Sequence, residues 1–418
     1  MKKQIVTDII KFLLIIAIAL TTFFIGLYLP SPNSSKNSLT SAEIISLIEK
    51  VGYVYDPVSG EIVELNQEKV GDILVNAILD DYAKYYSPEE MGELSAERQG
   101  NAKNLGIYFY DYDNVIDGVY YNSPADKQGM LDGDKIISIK FGSDLVVVNE
   151  YKDVKQAFST HTAQAVTFTI LRGQEQKEFV VAQESYKKVF VRYFDNQSRV
   201  NITYKDGKYT TEQSGEGMSE LAFDTAYIKF IEFGAGSGEQ MLQALSVAKQ
   251  NGKTKIILDV RNNGGGYMDQ LKIVASALVY NQGASKTLIS YAKGKQEEYF
   301  YTTGNNFNTQ IQKIAVIANE NTASATECLI GAMLYYKDAF SLDSLIIEKD
   351  SNGQAKTYGK GIMQTTYMLT TGGALKLTTA LVYQPDKTTT IHGKGIYTTV
   401  ENSVERTNAL FRAIQVVA

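Results

Sequence analysis

A serine flanked by small residues follows an apolar run, at a place where a helix could begin. Ser324 lies within residues 321–327 (NTASATE), and residues 314–318 (IAVIA) precede them. Small neighbours would let a carbonyl group reach the serine hydroxyl, and the N-terminal end of a helix would stabilise an oxyanion there. The commoner role of a serine at such a position is to cap the helix. Taken alone, the spacing favours the cap over the nucleophile.

A nucleophilic serine needs a general base, and the chain offers only two histidines, His161 and His392. His161 lies in a different part of the chain, and no carboxylate that could orient His392 is evident beside it. Lysine is the other base that such sites use. Because the ordinary pKa of lysine is about 10.4, burial must lower the pKa before the neutral amine becomes common at pH 7.

Lys360 is the strongest lysine candidate, because the glycines on both sides of it let the backbone pack closely. It lies within residues 358–362 (YGKGI), next to apolar side chains. Most lysines are instead solvated surface residues. Lys356, Lys376 and Lys394 are the alternatives.

A second turn, residues 259–266 (DVRNNGGG), directly follows the apolar run 256–258 (IIL). Its three glycines would leave backbone N–H groups uncovered where a helix begins. Such a place attracts developing negative charge. The alternative interpretation is an ordinary sharp turn, and the pattern by itself does not separate the two.

Both turns belong to a region in which strand and helix patterns alternate. This alternation predicts a mixed α/β domain whose helices cover a sheet, with functional groups at the strand ends. The predicted strands are 226–230, 255–260, 288–291 and 314–318, and the predicted helices are 240–250, 266–280 and 324–336.

Upstream of this domain, short strands broken by Gly and Asp predict a compact, mostly β module. Its predicted strands are 105–110, 118–121, 135–139, 165–171 and 178–181, with one helix at 154–159. Residues 196–220 are polar and predict a connector, with a hairpin at 205–208. Apolar residues at helical spacing predict a further helix over 67–81.

The N-terminus has the pattern of a membrane segment. Residues 12–29 contain no charge, and Lys2, Lys3 and Lys11 precede them. Their length is close to the ~20 residues that cross a bilayer as a helix, and the lysines predict that this end stays in the cytoplasm. A cleaved signal peptide is the alternative, but residues 29–32 (LPSP) offer no A-x-A-like cleavage site. Residues 30–40 read as a solvated tether.

Composition excludes several classes of protein. The chain has 418 residues and a net charge of −6, so it lacks the basic surplus of nucleic-acid-binding proteins. One cysteine, Cys328, excludes an intramolecular disulfide and a multi-cysteine zinc site, and no HExxH motif surrounds either histidine. Gly353 and Gly359 enclose five residues where a P-loop has four, which argues against nucleotide binding. We expect no metal and no cofactor.

Together, five segments resemble the carboxyl-terminal processing peptidases, or tail-specific proteases, which are serine peptidases with a Ser/Lys dyad. Residues 227–233 (YIKFIEF) are similar to the family pattern Y-I-x-x-x-x-F, and residues 258–266 (LDVRNNGGG) to L-D-L-R-x-N-P-G-G. Residues 321–327 resemble S-A-S-A-S-E, residues 357–364 (TYGKGIMQ) resemble T-F-G-K-G-x-V-Q, and residues 374–378 match A-L-K-L-T. The segments also occur in the family's order.

The resemblance assigns roles to individual residues. It implies that neutral Lys360 takes the proton of Ser324, whose oxygen attacks the scissile carbonyl and forms an acyl-enzyme. The implied oxyanion donors are the N–H groups of Ala325 and of Gly265, with Gly266 as a neighbour. Glu327 and Gln364 match positions that help to orient the lysine, although Glu327 could instead be a first-turn helix acid.

The β module resembles a PDZ domain of these peptidases. Residues 123–137 (SPADKQGMLDGDKII) are similar to the run S-P-A-x-x-A-G-[LI]-x-x-G-D-x-I. PDZ domains add a peptide as an extra strand and hold its terminal carboxylate with backbone N–H groups. The resemblance places this peptide site at Leu105, Gly106, Ile107 and Tyr108.

Three departures from the family pattern affect these assignments. Gly264 stands where the family has proline, so the glycine turn lacks that stiffening residue. The interval between Ser324 and Lys360 is longer than usual, and residues 341–354 look like an inserted hairpin. Residues 397–399 (YTT) replace the Pro-Asp of a late G-x-G-I-x-P-D motif.

The resemblance implies an α/β (mixed α+β) protein with a ClpP/crotonase-like peptidase core. The expected divisions are a membrane anchor or signal segment at 1–30, a tether and helical region at 31–92, a PDZ-like domain at 93–185 and a peptidase domain at 186–418. The implied function is an exported endopeptidase that cleaves unfolded or C-terminally tagged proteins with free C-termini. We expect a single-pass anchor in a bacterial membrane with a periplasmic catalytic part, or secretion after signal cleavage. A catalytically inactive peptide-binding scaffold is the alternative.

Overall fold

The computed structural model describes residues 53–55, 62–64, 80, 82–109, 114–161, 163–279, 281, 283–304, 306, 309–337, 342–370 and 372–418. The predicted membrane segment at 12–29 lies outside these residues, and so does nearly all of the helix predicted over 67–81. None of the helices within the described ranges is both long enough and apolar enough to cross a membrane.

The helices and strands have the following bounds. The helices in the described ranges are α1 (Pro88–Arg98), α2 (Pro124–Gln128), α3 (Tyr151–Thr160), α4 (Ser237–Gln250), α5 (Met268–Leu278), α6 (Ala325–Tyr335) and α7 (Ala409–Val417). The strands are β1 (Tyr53–Tyr55), β2 (Ile62–Glu64), β3 (Lys84–Tyr86), β4 (Asn101–Asn104), β5 (Ile107–Tyr108), β6 (Gly118–Val119), β7 (Lys135–Phe141), β8 (Asp144–Val147), β9 (Ala165–Arg172), β10 (Glu175–Ala182), β11 (Glu184–Lys187), β12 (Val191–Asp195), β13 (Ser198–Lys205), β14 (Lys208–Glu216), β15 (Thr225–Phe230), β16 (Lys255–Asp259), β17 (Leu288–Gly294), β18 (Glu297–Tyr301), β19 (Lys313–Ala318), β20 (Leu342–Glu348), β21 (Ile362–Met368), β22 (Ala374–Tyr383) and β23 (Ser403–Val404).

The chain divides into two compact units. The smaller unit comprises the described residues up to Met91 together with those of Gln364–Thr378, and the larger unit comprises the described residues of Gly92–Met363 and Thr379–Ala418. In the smaller unit, β3 pairs antiparallel with the first residues of β22, where Tyr86 faces Ala374. The motif at 374–378 is therefore strand.

The β module of the larger unit has a core of its own. Its four-stranded antiparallel sheet has the order β10-β9-β7-β8. Ile136, Ile139, Phe168 and Ile170 are fully buried in this core, and α3 contributes Val154. All but the first of the predicted strands are confirmed within a few residues of the predicted bounds. Leu105–Tyr110 is the exception, because only Ile107 and Tyr108 are strand.

The α/β part is built on an eight-stranded sheet with the order β14-β13-β12-β15-β16-β19-β20-β23. Strands β15, β16, β19, β20 and β23 run parallel to one another. Strand β12 pairs antiparallel with β15, and β13 and β14 continue the sheet with antiparallel pairing. Because β16 and β19 are adjacent and parallel, the turns that follow them emerge at the same edge. The two motif turns of the sequence are therefore brought together by the topology.

Helices cover both faces of this sheet, as the alternating pattern predicts. Side chains alternate between the two faces of a strand. On β16, Ile256 and Leu258 pack in the cluster that contains Met241, Leu271 and Leu329 of the helices α4, α5 and α6. Ile257 between them packs on the opposite face with Ala409, Ala413 and Val417 of α7. The mixed α/β architecture is confirmed.

The polar segment at 196–220 is not a connector. Most of it forms β13 and β14, which extend the eight-stranded sheet at one edge. The predicted hairpin is confirmed, because β13 ends at Lys205 and β14 begins at Lys208, with Asp206 and Gly207 both at positive φ. Positive φ at both central residues is typical of the tight turns that join such strands. Polar side chains reflect the exposure of this edge hairpin.

The predicted inserted hairpin at 341–354 is wrong. Leu342–Glu348 is β20, which pairs parallel with β19 inside the sheet, and Leu345, Ile346 and Ile347 are buried. Only the residues after it form a turn, in which the Asp350 carboxylate accepts from the Asn352 and Gln354 N–H groups. A core strand therefore fills the interval between the serine and lysine motifs.

Candidate active site

The serine turn connects β19 to α6 and holds Ser324 in an uncommon backbone conformation. Ser324 has φ 59° and ψ −119°, although residues with a side chain rarely adopt positive φ. Thr322 helps to fix the turn, because its Oγ1 donates to Val260 O at 2.9 Å. Strained residues of this kind cluster at functional sites. Ser324 thus occupies the N-cap position directly before α6, and its backbone conformation differs from that of an ordinary helix cap.

Glu327 connects the serine turn to the lysine segment. Its side chain is fully buried and accepts four hydrogen bonds. The donors are Ser324 N at 2.8 Å, Thr357 Oγ1 at 2.5 Å, Gly359 N at 2.7 Å and Lys360 N at 2.9 Å. Burial raises the pKa of Glu327, and these hydrogen bonds, which favour the charged form, oppose the rise.

The same carboxylate oxygen binds the backbone at both motif residues. Glu327 Oε2 accepts from Ser324 N and also from Lys360 N. A further backbone bond, from Tyr358 N to Thr322 O at 3.0 Å, joins the two segments. The structure therefore brings the backbones of Ser324 and Lys360 close together, although strand β20 lies between them in the sequence. Lys360 is only partly exposed.

A late segment of the chain supports the lysine segment from the other side. Thr357 N donates to Ile396 O at 3.0 Å, and Ile396 N donates back to Thr357 Oγ1 at 2.7 Å. Gly359 and Gly395 allow close contact here, since a Cβ on Gly359 would lie 2.8 Å from Gly395 N. The late motif therefore docks on the lysine segment although its Pro-Asp is replaced.

The glycine turn packs directly against the serine turn. Gly265 has φ 98°, and a Cβ placed on it would lie 2.8 Å from both Ser324 Cβ and Ala325 N. Any other residue at 265 would therefore clash with the start of α6 and would also be strained. This close approach explains the glycine independently of any hydrogen bond that its own N–H makes.

The sequence predicts that the backbone N–H of Gly265 is an oxyanion donor, but in the structure this N–H is already bound. The Gly265 N–H donates to Asn263 Oδ1 at 3.0 Å instead of being uncovered. Ala325 is the first residue of α6, and its N–H makes no hydrogen bond within the described part of the chain. An unpaired N–H is expected in the first turn of a helix.

A buried charge cluster anchors the start of the glycine turn. The Asp259 carboxylate is fully buried and accepts from Tyr227 Oη at 2.5 Å and from Arg261 Nε at 3.0 Å. Arg261 Nη1 also donates to Glu348 Oε1 at 2.6 Å. Burial alone would raise the pKa of Asp259, but the Arg261 guanidinium outweighs it and lowers the pKa to about 2.

This cluster predicts a specific loss of stability in acid. The pKa of Asp259 falls from 3.8 to about 2 on folding, so its stabilisation is complete above pH 3.8 and is lost as the pH falls toward 2. The loss amounts to roughly 2 kcal/mol. Burial raises the pKa of Glu348 above 4.5, so that group titrates at higher pH. Urea unfolding at several pH values should show this loss.

Asp259→Asn is the comparison variant for this measurement. The variant should be less stable than the parent at neutral pH, because the partly buried Arg261 then lacks its closest charge partner. Its stability should fall less steeply between pH 3.8 and 2. Parallel curves for the two proteins over that interval would contradict the assignment, since the other carboxylates titrate in both.

The remaining predicted lysine-orienting residue, Gln364, lies at the boundary of the smaller unit, in β21. Its Nε2 donates to Tyr82 O at 2.5 Å. Its role toward Lys360 stays a prediction. Among the described residues, no group of three or more His, Cys, Asp or Glu side chains is arranged to hold a metal ion.

The four candidate peptide-binding residues form a tight turn and a short strand. Gly106 has φ 81°, and a Cβ on it would lie 2.1 Å from Ser123 Cβ. Ile107 and Tyr108 form β5, which pairs antiparallel with β6, and Leu105 before them is buried. Within the described ranges, β6 is the one strand that pairs with β5. A peptide strand could add to the opposite edge.

Sequence reasoning gave no role to Thr357, Asn263 or Thr326. Thr357 links Glu327 to the late segment, and the Thr326 hydroxyl donates to Asn263 Oδ1 at 2.7 Å. All three residues are fully buried. Their only sequence signal is their place inside or beside the quoted motifs, where a small polar residue is buried among backbone groups that need partners.

Comparisons with known proteins agree with these motifs. Residues 224–402 match the model of Peptidase family S41. The probable CtpA-like serine protease of Staphylococcus epidermidis (strain ATCC 12228) is 26% identical over 408 residues, which cover 95% of this chain and 74% of that protein. The protein of the same description from Staphylococcus haemolyticus is 27% identical over 357 residues, 84% of this chain and 63% of the relative.

A solved structure agrees in fold. A crystal structure from Bacteroides fragilis NCTC 9343, described as an S41 protease, superposes with a TM-score of 0.52 over 92% of this chain and 94% of that one. The two sequences are 13% identical, so this likeness concerns the fold alone. The sequence matches identify residues 224–402 as a peptidase family S41 domain, and this domain together with the CtpA-like serine protease relatives indicates a serine-type peptidase.

Proposed function

We propose that this chain is an exported serine endopeptidase that cleaves unfolded or C-terminally tagged proteins, with Ser324 as nucleophile and Lys360 as general base. The observation that carries the proposal is the shared carboxylate oxygen, Glu327 Oε2, which accepts from the backbone N–H groups of both residues. A buried acid that fixes both backbone positions supports a dyad more directly than the order of the motifs does.

In the proposed reaction, the neutral Lys360 amine takes the proton from Ser324 Oγ as this oxygen attacks the scissile carbonyl. The resulting Lys360 ammonium then gives a proton to the leaving amine, and an acyl-enzyme remains on Ser324. Water hydrolyses the ester with the lysine again as the base. Glu327 is a positioning residue in this scheme, because it accepts hydrogen bonds from the backbone N–H groups of Gly359 and Lys360.

The Ala325 N–H at the start of α6 is the first oxyanion donor of the scheme. The helix N-terminus adds favourable electrostatic potential there. Removal of one such donor typically costs about 3 to 4 kcal/mol of transition-state stabilisation. A second donor comes from the glycine turn, which contacts Ser324 closely.

Substrate recognition is assigned to the β module, which we propose acts as a PDZ-like domain. A peptide C-terminus would add as a strand beside β5, with its carboxylate near the turn at Leu105 and Gly106. The uncharged segment 12–29 would anchor the protein in a bacterial membrane and leave the catalytic part on the periplasmic side. Secretion after signal cleavage is the alternative location.

The pH dependence of the hydrolysis rate tests the identity of the base. Only a neutral lysine accepts the serine proton, so kcat/KM for an unfolded protein substrate should rise with pH through an apparent pKa below the ordinary ~10.4. His161→Gln and His392→Gln are the controls, and both should keep the parent profile. A profile governed by a group near ~6.5 that disappears in either histidine variant would contradict the lysine assignment.

A further inference from the structure

The orientation of the peptide between Gly265 and Gly266 decides which amide of the glycine turn can bind an oxyanion. Phe233 N donates to Gly265 O at 2.8 Å, and Tyr267 N donates to Phe233 O at 2.9 Å. This is the pattern of a parallel bridge between Phe233 and Gly266. In such a bridge the N–H of the central residue points away from its partner strand. The Gly266 N–H is therefore directed away from Phe233.

The amide before it is already bound. Gly265 N donates to Asn263 Oδ1, and the same oxygen accepts from Thr326 Oγ1 at 2.7 Å. Asn263 is fully buried, and its Nδ2 donates to Phe230 O at 3.0 Å. All the polar groups of this side chain are thus fixed by the sheet, the glycine turn and the first turn of α6.

We propose that Asn263 is a positioning residue for the oxyanion hole, held by the Thr326 hydroxyl, and that the Gly266 N–H is the donor that acts with the Ala325 N–H. The proposal rests on the proposed function of Ser324. Asn263 Oδ1 binds the Gly265 amide and Phe233 N binds the Gly265 carbonyl, so the next peptide is held with its own N–H free to face a reacting carbonyl.

Thr326 joins this arrangement to the helix that carries the other donor. It is the second residue of α6, directly after Ala325, and its side chain is fully buried. Asn263 O also accepts from Ala323 N at 3.0 Å. One residue of the glycine turn therefore contacts the chain on both sides of Ser324. The relative position of the two donor amides depends on these contacts, and an error of about 1 Å in such a position can cost ~100-fold in rate.

The test compares Thr326→Ser with Thr326→Ala, two variants that differ by one oxygen atom. Thr326→Ser keeps the hydroxyl that donates to Asn263 Oδ1, and Thr326→Ala lacks it. We expect kcat of Thr326→Ala to be ~10- to 100-fold below that of Thr326→Ser, with KM unchanged, because a displaced oxyanion donor acts only in the transition state. Thermal unfolding of both variants shows whether each is folded.

A second readout separates positioning from general stability. A peptide boronic acid forms a tetrahedral adduct with a serine, so its affinity should fall with kcat in Thr326→Ala, whereas binding of the cleaved product peptide should stay constant. Equal kcat and equal boronate affinity in the two variants, beside an active parent, would overturn the role of Asn263 and leave the proposed function intact. A parent that neither hydrolyses substrate nor binds the boronate would overturn both. If Thr326→Ala does not fold, Thr326→Val supplies the variant without the hydroxyl.

Discussion

Replacement of Ser324 by alanine is expected to abolish hydrolysis of an unfolded protein substrate, with a loss of at least about 10⁴-fold in kcat. In the proposed reaction the serine oxygen forms the acyl bond, so its loss removes the nucleophile. Binding of uncleaved substrate should persist, because alanine keeps the backbone N–H at position 324 that donates to Glu327. The measurement is cleavage by the parent and the variant, with substrate affinity determined separately.

Ser351→Ala is the matched control for this experiment. Ser351 is exposed in the turn after β20, so its substitution should leave turnover at the parent rate. Equal turnover by the parent and Ser324→Ala would end the assignment of Ser324. A parent that binds peptides but hydrolyses none, under any condition tried, would identify an inactive peptide-binding scaffold instead. In cells, mass spectrometry of envelope proteins with and without the Ser324→Ala allele should reveal trimmed C-termini only with the parent allele.

Replacement of Lys360 is expected to give the second large loss, about 10³- to 10⁴-fold in kcat, which is the scale of general-base catalysis. The backbone N–H of Lys360 donates to Glu327, so Lys360→Ala removes the amine while it keeps the docking of the segment. Lys360→Arg should be equally inactive, because a guanidinium keeps the charge and does not deprotonate at accessible pH. Initial rates of the two variants measure these effects.

The control for a nonspecific charge effect is Lys394→Ala. Lys394 is exposed in the late segment, and its substitution changes the net charge by the same amount as Lys360→Ala. Its activity should match the parent. Substantial hydrolysis by Lys360→Arg would mean that a positive charge at this position is sufficient, and the proton-transfer role of Lys360 would then be wrong.

Local patterns in the sequence predict the architecture wherever burial determines the residue type. Ile256 and Leu258 face one helix layer and Ile257 the other, so the apolar run of β16 is a fully covered strand, as predicted. The sequence predicts a connector where the structure has the hairpin β13–β14, because this hairpin lies at a sheet edge where polar side chains are tolerated. Polarity at an edge strand resembles polarity in a linker, and only the turn at Asp206-Gly207 distinguishes them.

In the candidate site too, local motifs predict some features, whereas contacts between distant segments cannot be predicted from the sequence. The types and order of Ser324 and Lys360 are readable from motifs, and so is the need for glycine at 265. The buried hydrogen bonds of the site cannot be predicted from these motifs, because Thr357, Asn263 and Thr326 contact segments that are far away in the sequence. Strand β20 shows the same limit, since a count of residues between two motifs does not reveal whether the interval lies inside or outside the sheet.

The hydrogen bonds between Thr357 and Ile396 affect the stage of synthesis at which the proposed active site could become complete. The segment around Lys360 is held on one side by Glu327 and on the other by the late segment around Ile396. A growing polypeptide that has not yet released Ile396 from the ribosome lacks this second support. Nascent copies that end before Ile396 are therefore expected to hold the lysine poorly and to be inactive.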